Sequence, residues 1–146
     1  LRKRVLKDGA LPAINPVVDL YNAVSLRFAV PVGGENIDAY AGAPRLTIAD
    51  GTEFFDTTAD GMPAIECANV GEVIWRDDVG VTCRRWNWRQ GARTRLDSCT
   101  GRMWFVMESL DTMPMDALDE AATALEAGLR TLIPGCTVTR ETLTVA

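Results

Sequence analysis

The two amphipathic helices of this chain lie far apart in the sequence, with a long strand-rich stretch between them. Asn15 followed by Pro16 is a typical helix start, because an amide caps the helix and proline suits its first position. Apolar residues then recur at helical spacing and predict a helix over residues 15–28. A second apolar stripe predicts a helix over residues 114–132, which a Pro-Gly pair ends.

The stretch between the helices carries several patterns typical of β-strands. Residues 77–80 look like a hairpin connection, and residues 103–107 form an apolar run that predicts a central strand buried on both faces. We predict further strands at residues 45–49, 72–76, 81–89 and 137–145. Because strands outnumber helices and do not alternate with them regularly, we predict an α+β fold: a mostly antiparallel sheet with two packed helices.

Length and composition predict a single domain over residues 1–146 that can build a core, since 47% of the residues are hydrophobic and 24% are charged. The first residue is not methionine, which leaves open that N-terminal residues precede the chain. No apolar run is long enough to span a membrane, so we expect no membrane partner. The widely spaced cysteines suit reduced thiols in a cytosolic protein, so we expect a cytoplasmic location. A net charge of −5 argues against a general nucleic-acid coat protein, although a local basic patch is compatible with it.

The chain contains no histidine, and this excludes several kinds of active site. It removes Ser-His-Asp and Cys-His catalysis and every metal site built on imidazole. The four cysteines are widely spaced, form no C-x-x-C pair and are expected to be reduced thiols. We therefore predict no metal and no cofactor, and expect any catalysis to use carboxylates, amides, hydroxyls or backbone N–H groups.

Polar residues on the first helix and a glycine pair after it are candidates for a site. Asp19 and Asn22 lie three apart on one helix face, where they form either part of a pocket or a solvated polar face. Gly33 and Gly34, which precede Glu35, are predicted to lie in a loop. Paired glycines allow a backbone to approach a ligand and present N–H groups to an anion, although a plain turn has the same composition.

Arginine and tryptophan alternate in the segment from Arg84 to Arg95, which holds five arginines in twelve residues. If residues 81–89 form a strand, one face carries Thr82, Arg84, Trp86 and Trp88, and the other carries Cys83, Arg85, Asn87 and Arg89. Such a combination suits phosphate and an unstacked base, and the alternative is a strand edge with cation–π pairs and surface arginines. Gln90 follows at the predicted strand end, where binding groups often collect.

One motif of the first helix resembles a known domain. Asn15-x-Val17-Val18-Asp19-x-x-Asn22-x-x-Ser25-Leu26, followed by Pro31 and Asp38, is similar to the helix motif in the editing domain (B3/B4 type) of the phenylalanyl-tRNA synthetase beta subunit. The glycine pair with its glutamate and the Arg-Trp segment look like the free-standing proteins made of that domain. The resemblance runs from about residue 11 to about residue 110.

The resemblance implies a B3/B4-like layered fold and an activity in translation fidelity: hydrolysis of the ester of a misacylated tRNA in trans. Its partner would be the aminoacylated 3′ end of a tRNA, while the oligomeric state stays open. Two other readings also stay open, a non-catalytic module that binds tRNA or another RNA end, and an amino-acid-binding sensor. Charged tRNA would be hydrolysed only by the first of the three.

The resemblance also assigns residues to the site. Asn22 matches an asparagine of the editing pocket, and Tyr21 before it lines that pocket. Gln90 falls at or near an acidic residue that reads the side chain of the misacylated amino acid, and Gly33 falls where the family has a histidine, so a tyrosine specificity does not carry over. Gly71 matches a glycine before the central strand.

From the residues and the resemblance together we predict three groups of site residues. The catalytic candidates are Asn22, Gly33, Gly34 and Gln90. The substrate-binding candidates are Tyr21, Glu35, Gly71 and Asn87. The tRNA-binding candidates are Arg84, Arg85, Arg89 and Arg93. We further expect Asn22, Gly33, Gly34, Glu35, Asn87 and Gln90 to line one cavity.

Overall fold

The computed structural model describes residues 1–110 and 113–143, and these fold into two compact units. The first unit consists of Leu1–Val30 and Met107–Ala146, and it contains the three α-helices of the described residues. The second unit is Pro31–Val106 and contains the strands, the last of which extends to Met107.

The helix predicted over residues 15–28 is confirmed as α2, Pro16–Phe28. The side chain of Asn15 caps it by accepting hydrogen bonds from the backbone N–H groups of Val17 and Val18 at 3.0 and 2.9 Å. Ala29 then ends it in the left-handed conformation with φ of 55°. The helix buries Val18, Tyr21, Asn22 and Val24.

The helix predicted over residues 114–132 is confirmed as α3, Met115–Leu132, which buries Ala121, Leu125 and Leu129. α2 and α3 approach closely where Gly128 faces Leu20, because a methyl group at Gly128 would overlap the Leu20 side chain. A short helix that the sequence analysis did not predict, α1 (Arg2–Asp8), precedes them and buries none of its residues.

The second unit is built on a six-stranded, mostly antiparallel sheet, so the predicted α+β class is confirmed. Its strands are β2 (Arg45–Ile48), β3 (Phe54–Ala59), β4 (Met62–Cys67), β5 (Val73–Arg76), β6 (Val81–Arg84) and β7 (Arg89–Gln90). Along the sheet the order is β2-β5-β6-β3-β4, with β7 also paired to β6. Only the β3–β6 pair is parallel among these. The core is formed by Ala49, Phe55, Ala68, Ile74 and Val81.

The prediction of one continuous strand over residues 81–89 is wrong. β6 ends at Arg84, and the chain turns back so that Arg89 in β7 lies opposite Arg84. Arg85 and Trp86 adopt left-handed φ values of 52° and 66°, which breaks the strand geometry. The predicted division of residues 82–89 between two strand faces therefore does not hold beyond Arg84.

Two predictions for the neighbouring segments are also wrong. The glycine pair does not lie in a loop, because Val32–Asn36 forms strand β1. Met103–Met107 is a strand, β8, but it pairs with β1 in a separate two-stranded sheet and all five of its residues are only half-buried. An apolar run indicates that side chains pack against other side chains. It does not show that the strand has a neighbouring strand on each of its edges.

The strand predicted over residues 137–145 is not formed in residues 137–143, which have no regular secondary structure, and the remainder lies outside the described residues. None of the helices in the described ranges has the length and apolar composition that a bilayer crossing requires.

Gly80 closes the turn between β5 and β6, and its backbone leaves no room for a side chain. A Cβ atom there would lie 2.6 Å from the Phe54 carbonyl oxygen. We expect Gly80→Ala to lower the free energy of unfolding by roughly 1–3 kcal/mol, measured by urea denaturation, because backbone atoms must shift. Gly101→Ala is the control, since a Cβ there meets nothing within 4 Å. Equal stability of both variants would contradict the close packing at Gly80.

Candidate functional site

The predicted site residues are divided between the two units. Tyr21 and Asn22 belong to the first unit, and the other ten belong to the second. Their assembly into one cavity stays a prediction, and each group is described below within its own unit.

Asn22 is a buried amide in the middle of α2. It is only 9% exposed, and Tyr21 beside it is 8% exposed. Among the described residues, none is placed to hydrogen-bond the Asn22 side chain. No fully buried side-chain oxygen or nitrogen of the described residues lacks a hydrogen-bond partner. The polar atoms of Asn22, which have no such partner, are therefore still accessible. An amide that is enclosed by the fold but keeps its hydrogen-bonding groups available is suited to receive a ligand.

In the second unit the glycine pair lies on β1, next to the segment that carries Gln90. A Cβ at Gly33 would meet nothing within 4 Å, so this position faces open space, whereas Gly34 is buried. The side-chain amide of Gln90 donates to the Gly34 carbonyl at 2.8 Å. Gln90 therefore ties β7 to β1, and its predicted role in reading a substrate stays a prediction.

Glu35, at 7% exposure, is the centre of a buried polar group in the same unit. Thr94 donates a hydrogen bond to Glu35 at 2.6 Å, and the Tyr40 hydroxyl donates to its other carboxylate oxygen. The Trp104 indole N–H donates to the Tyr40 oxygen at 3.2 Å. Burial, and then the charge of Glu35, raise the pKa of Tyr40 well above its usual value, so this hydroxyl remains a donor at neutral pH.

The sequence analysis did not identify Tyr40 and Thr94 as partners of Glu35, or Trp104 as the donor to Tyr40. Their separations along the chain are large, except that Tyr40 follows Glu35 by five residues. A polar aromatic residue shortly after a candidate carboxylate was the available signal.

Gly71 and Asn87 have roles in turns. Gly71 adopts φ of 82°, which glycine takes without strain, and its N–H donates to Ala49 at 2.9 Å. Asn87 lies in the exposed turn between β6 and β7, where its N–H donates to the Arg85 carbonyl at 2.9 Å. The substrate-binding roles of both residues stay predictions.

Four side chains, Glu66, Glu72, Arg84 and Arg89, form one set of ion pairs that we call the Glu–Arg network. Arg84 donates to both oxygens of Glu72 at 2.9 and 2.7 Å, and to Glu66 at 2.8 Å. Arg89 donates to both oxygens of Glu66 at 2.6 and 2.7 Å. The hydrogen bonds from Arg84 lower the pKa of Glu72 to about 2.

Arg93 has an internal partner of its own. Its guanidinium donates to both oxygens of the fully buried Asp77, each at 2.9 Å. Burial opposes ionisation of Asp77, but Arg93 and three backbone N–H groups outweigh it and lower the pKa of Asp77 to about 2. Three of the four predicted tRNA-binding arginines thus have carboxylate partners inside the chain, and their contact with tRNA stays a prediction.

Arg85 differs from the other three predicted tRNA-binding arginines. It is exposed, and its guanidinium carbon lies 4.8 Å from the centre of the Trp88 ring. Within the described residues, no carboxylate forms an ion pair with it.

The side chains that could bind a metal are the carboxylates and the thiols, since the chain has no histidine. In the part of the chain that the structure describes, no three acidic or thiol side chains come together as a metal site. All four cysteines are free thiols.

Comparison with known proteins identifies one family. A family model described as the B3/4 domain matches residues 1–126, which is 126 of the 146 residues. The matched range includes every residue predicted for the site. No curated protein sequence matches the chain significantly.

The low pKa of Glu72 predicts acid-sensitive folding. Its pKa is about 2 in the folded chain against an ordinary value of 4.5, so its contribution is complete above pH 4.5 and is lost as the pH falls through 2. As the pH falls from 7 to 2, we expect protonation of this carboxylate to lower the free energy of unfolding by about 3 kcal/mol.

Urea denaturation across this pH range measures the effect. Glu72→Gln should unfold more easily at pH 7 and lose less stability in acid than the unchanged protein. Glu120→Gln, on the exposed side of α3, is the control and should follow the unchanged protein. An identical acid dependence in all three proteins would show that Glu72 does not carry the effect.

Proposed function

Because this chain belongs to the B3/4 domain family, the domain type of the phenylalanyl-tRNA synthetase beta subunit, we propose that it edits aminoacyl-tRNA. It hydrolyses the ester of a misacylated tRNA in trans, in the cytoplasm, and releases the free amino acid and the uncharged tRNA. The family match over residues 1–126 carries the proposal, since it spans the motif helix α2, strand β1 and the segment with Gln90.

The reaction makes modest chemical demands on the protein. An aminoacyl ester is already activated, so a water molecule must be positioned at the acyl carbon and the negative charge that develops on its oxygen must be stabilised. The water oxygen forms the new bond to carbon, the ester C–O bond breaks, and the ribose oxygen leaves with a proton. In a chain without histidine, a ribose hydroxyl of the substrate is suited to relay that proton.

Asn22 is the residue best suited to stabilise the developing charge. Its amide N–H groups are donors, and they lie on the buried face of α2 with no competing partner among the described residues. A donor that is fixed before the reaction stabilises the transition state without reorganisation. The backbone N–H groups of Gly33 and Gly34 are further candidates, together with Gln90.

Glu35 and Tyr40 support a substrate-binding role for the second unit. The carboxylate is held by two hydroxyl donors, so its position is fixed before any ligand arrives. A carboxylate in a buried setting suits the α-amino group of an amino acid, which is positively charged.

A second candidate function is amino-acid binding without catalysis. The internal pairing of Arg84, Arg89 and Arg93 favours it, because these charges are largely matched by carboxylates of the chain and contribute less to binding tRNA phosphates.

A panel of mischarged tRNAs tests the proposal directly. We expect the protein to release the amino acid from at least one of them, and Asn22→Ala to lower the single-turnover rate constant at saturating tRNA by roughly 100-fold, because it removes a positioned donor. Asn69→Ala, which removes an exposed amide, is the matched control and should leave the rate unchanged.

The outcomes separate the candidates. If the protein hydrolyses none of the mischarged tRNAs in the panel, the editing activity is ruled out. Binding of a free amino acid by the same preparation would then support the amino-acid sensor. An unchanged rate constant in Asn22→Ala would leave the activity standing and remove Asn22 from the catalytic group.

Hydrolysis is also expected to survive chelation. The chain has no imidazole, so we expect the rate constant in excess EDTA to equal that in its absence. A loss of activity that added zinc or magnesium restores would contradict the metal-independent mechanism.

A further inference from the structure

We propose that the turn between β6 and β7, residues 85–88, is a stacking platform for an unpaired base of single-stranded RNA. Trp88 provides the ring surface, and Arg85 provides a charge for the neighbouring phosphate. The inference rests on the proposed function for the identity of the RNA, which is then the unpaired 3′ end of a tRNA.

The backbone of this turn is held in an unfavourable conformation. Arg85 and Trp86 have φ values of 52° and 66°, a region that bulky side chains rarely adopt. Glycine or asparagine would form such a turn at lower conformational cost. Strained backbone that persists with large side chains in place is often associated with binding sites.

The surrounding structure fixes the turn firmly. The Arg85 N–H donates to Glu72 at 3.0 Å, and the Trp86 N–H donates to the Val73 carbonyl at 2.7 Å. Arg84 and Arg89 lie opposite each other at the base of the turn, and both are paired with Glu66. The turn is therefore presented in one conformation, which reduces the entropy lost when a ligand binds.

The side chains of Arg85 and Trp88 contact each other at the surface of this turn. Trp88 is 72% exposed, so most of its ring faces solvent. Its contact with Arg85 is a cation–π pair between two exposed residues, and such pairs contribute little to stability. Trp86 is more enclosed, at 36% exposure, and is not required for the platform.

The charge at the turn favours a nucleic acid over a neutral ligand. The two carboxylates Glu66 and Glu72 are paired with Arg84 and Arg89, so no ion pair within the described residues offsets the charge of the Arg85 guanidinium. A local positive charge beside an open indole in a chain of net charge −5 matches a phosphate next to a base. Base–tryptophan stacking tolerates any base, because every base has a π-face.

Binding of two RNA probes tests the platform. One is a fluorescently labelled six-nucleotide RNA that ends in CCA, and the other is uncharged tRNA, so that no hydrolysis is needed for the measurement. We expect Trp88→Ala to raise the Kd, measured by fluorescence anisotropy, about 10-fold for both probes, while the salt dependence of binding stays unchanged. Trp88→Phe should restore most of the affinity, since a ring remains.

Arg85→Ala serves as the second variant and should separate charge from stacking. We expect it to weaken binding and to lower the slope of log Kd against log salt by about one phosphate contact. Arg45→Ala, which removes an exposed arginine on the edge strand β2, is the control and should leave both the Kd and the slope unchanged.

The results distinguish this inference from the editing proposal. If Trp88→Ala binds both probes like the unchanged protein, or if the unchanged protein binds neither, the platform is refuted, even where charged tRNA is hydrolysed. If Trp88→Ala loses affinity while no mischarged tRNA is hydrolysed, the platform stands and the editing activity fails.

Discussion

The Glu–Arg network links side chains of strands β4, β6 and β7 with that of Glu72, which immediately precedes β5. Arg84 is nearly enclosed, with its side chain 6% exposed, and Glu72 is 8% exposed. Removing two such charges from water is costly, and the bidentate geometry between them offsets the cost only while both partners are present. Arg84 and Arg89 flank the strained turn, and the Arg85 N–H donates to Glu72, so the turn is anchored to the network at both ends.

The helices were predictable because their signals are local. Asn15 caps α2 and Pro16 is its first residue, and an apolar stripe repeats within one helix length. The turn at residues 77–80 is equally local, since the Asp77 side chain accepts hydrogen bonds from the backbone N–H groups of Val79 and Gly80. Such features are encoded within a few residues, so a single sequence suffices to find them.

The errors lie where distant residues decide the structure. The alternation over residues 81–89 resembles one strand, and nothing in Arg85-Trp86 announces a turn, because the usual glycine or asparagine is absent. The partners of Arg84 lie 12 and 18 residues away in the sequence. The density of arginines was therefore visible in the sequence, but their pairing with carboxylates was not. The apolar run at Met103–Met107 does form a strand, but its residues are only half-buried, whereas the run predicted burial on both faces. For the site, the helix pattern left open whether Asn22 lies in a pocket or on a solvated face, and the fold was needed to show its burial and the partners of Glu35.

The density of arginines in a segment is therefore a poor measure of the charge available to a ligand. Five arginines lie between Arg84 and Arg95, yet Arg84, Arg89 and Arg93 have carboxylate partners within the unit. Those three are held in ion pairs within the unit, and the charge open to solvent at the turn is that of Arg85. An acidic chain can in this way present one well-positioned cation on a rigid turn, with an exposed indole beside it, without carrying a basic surface. Affinity for RNA at such a site would come more from stacking than from phosphate contacts, and its dependence on salt would be correspondingly shallow.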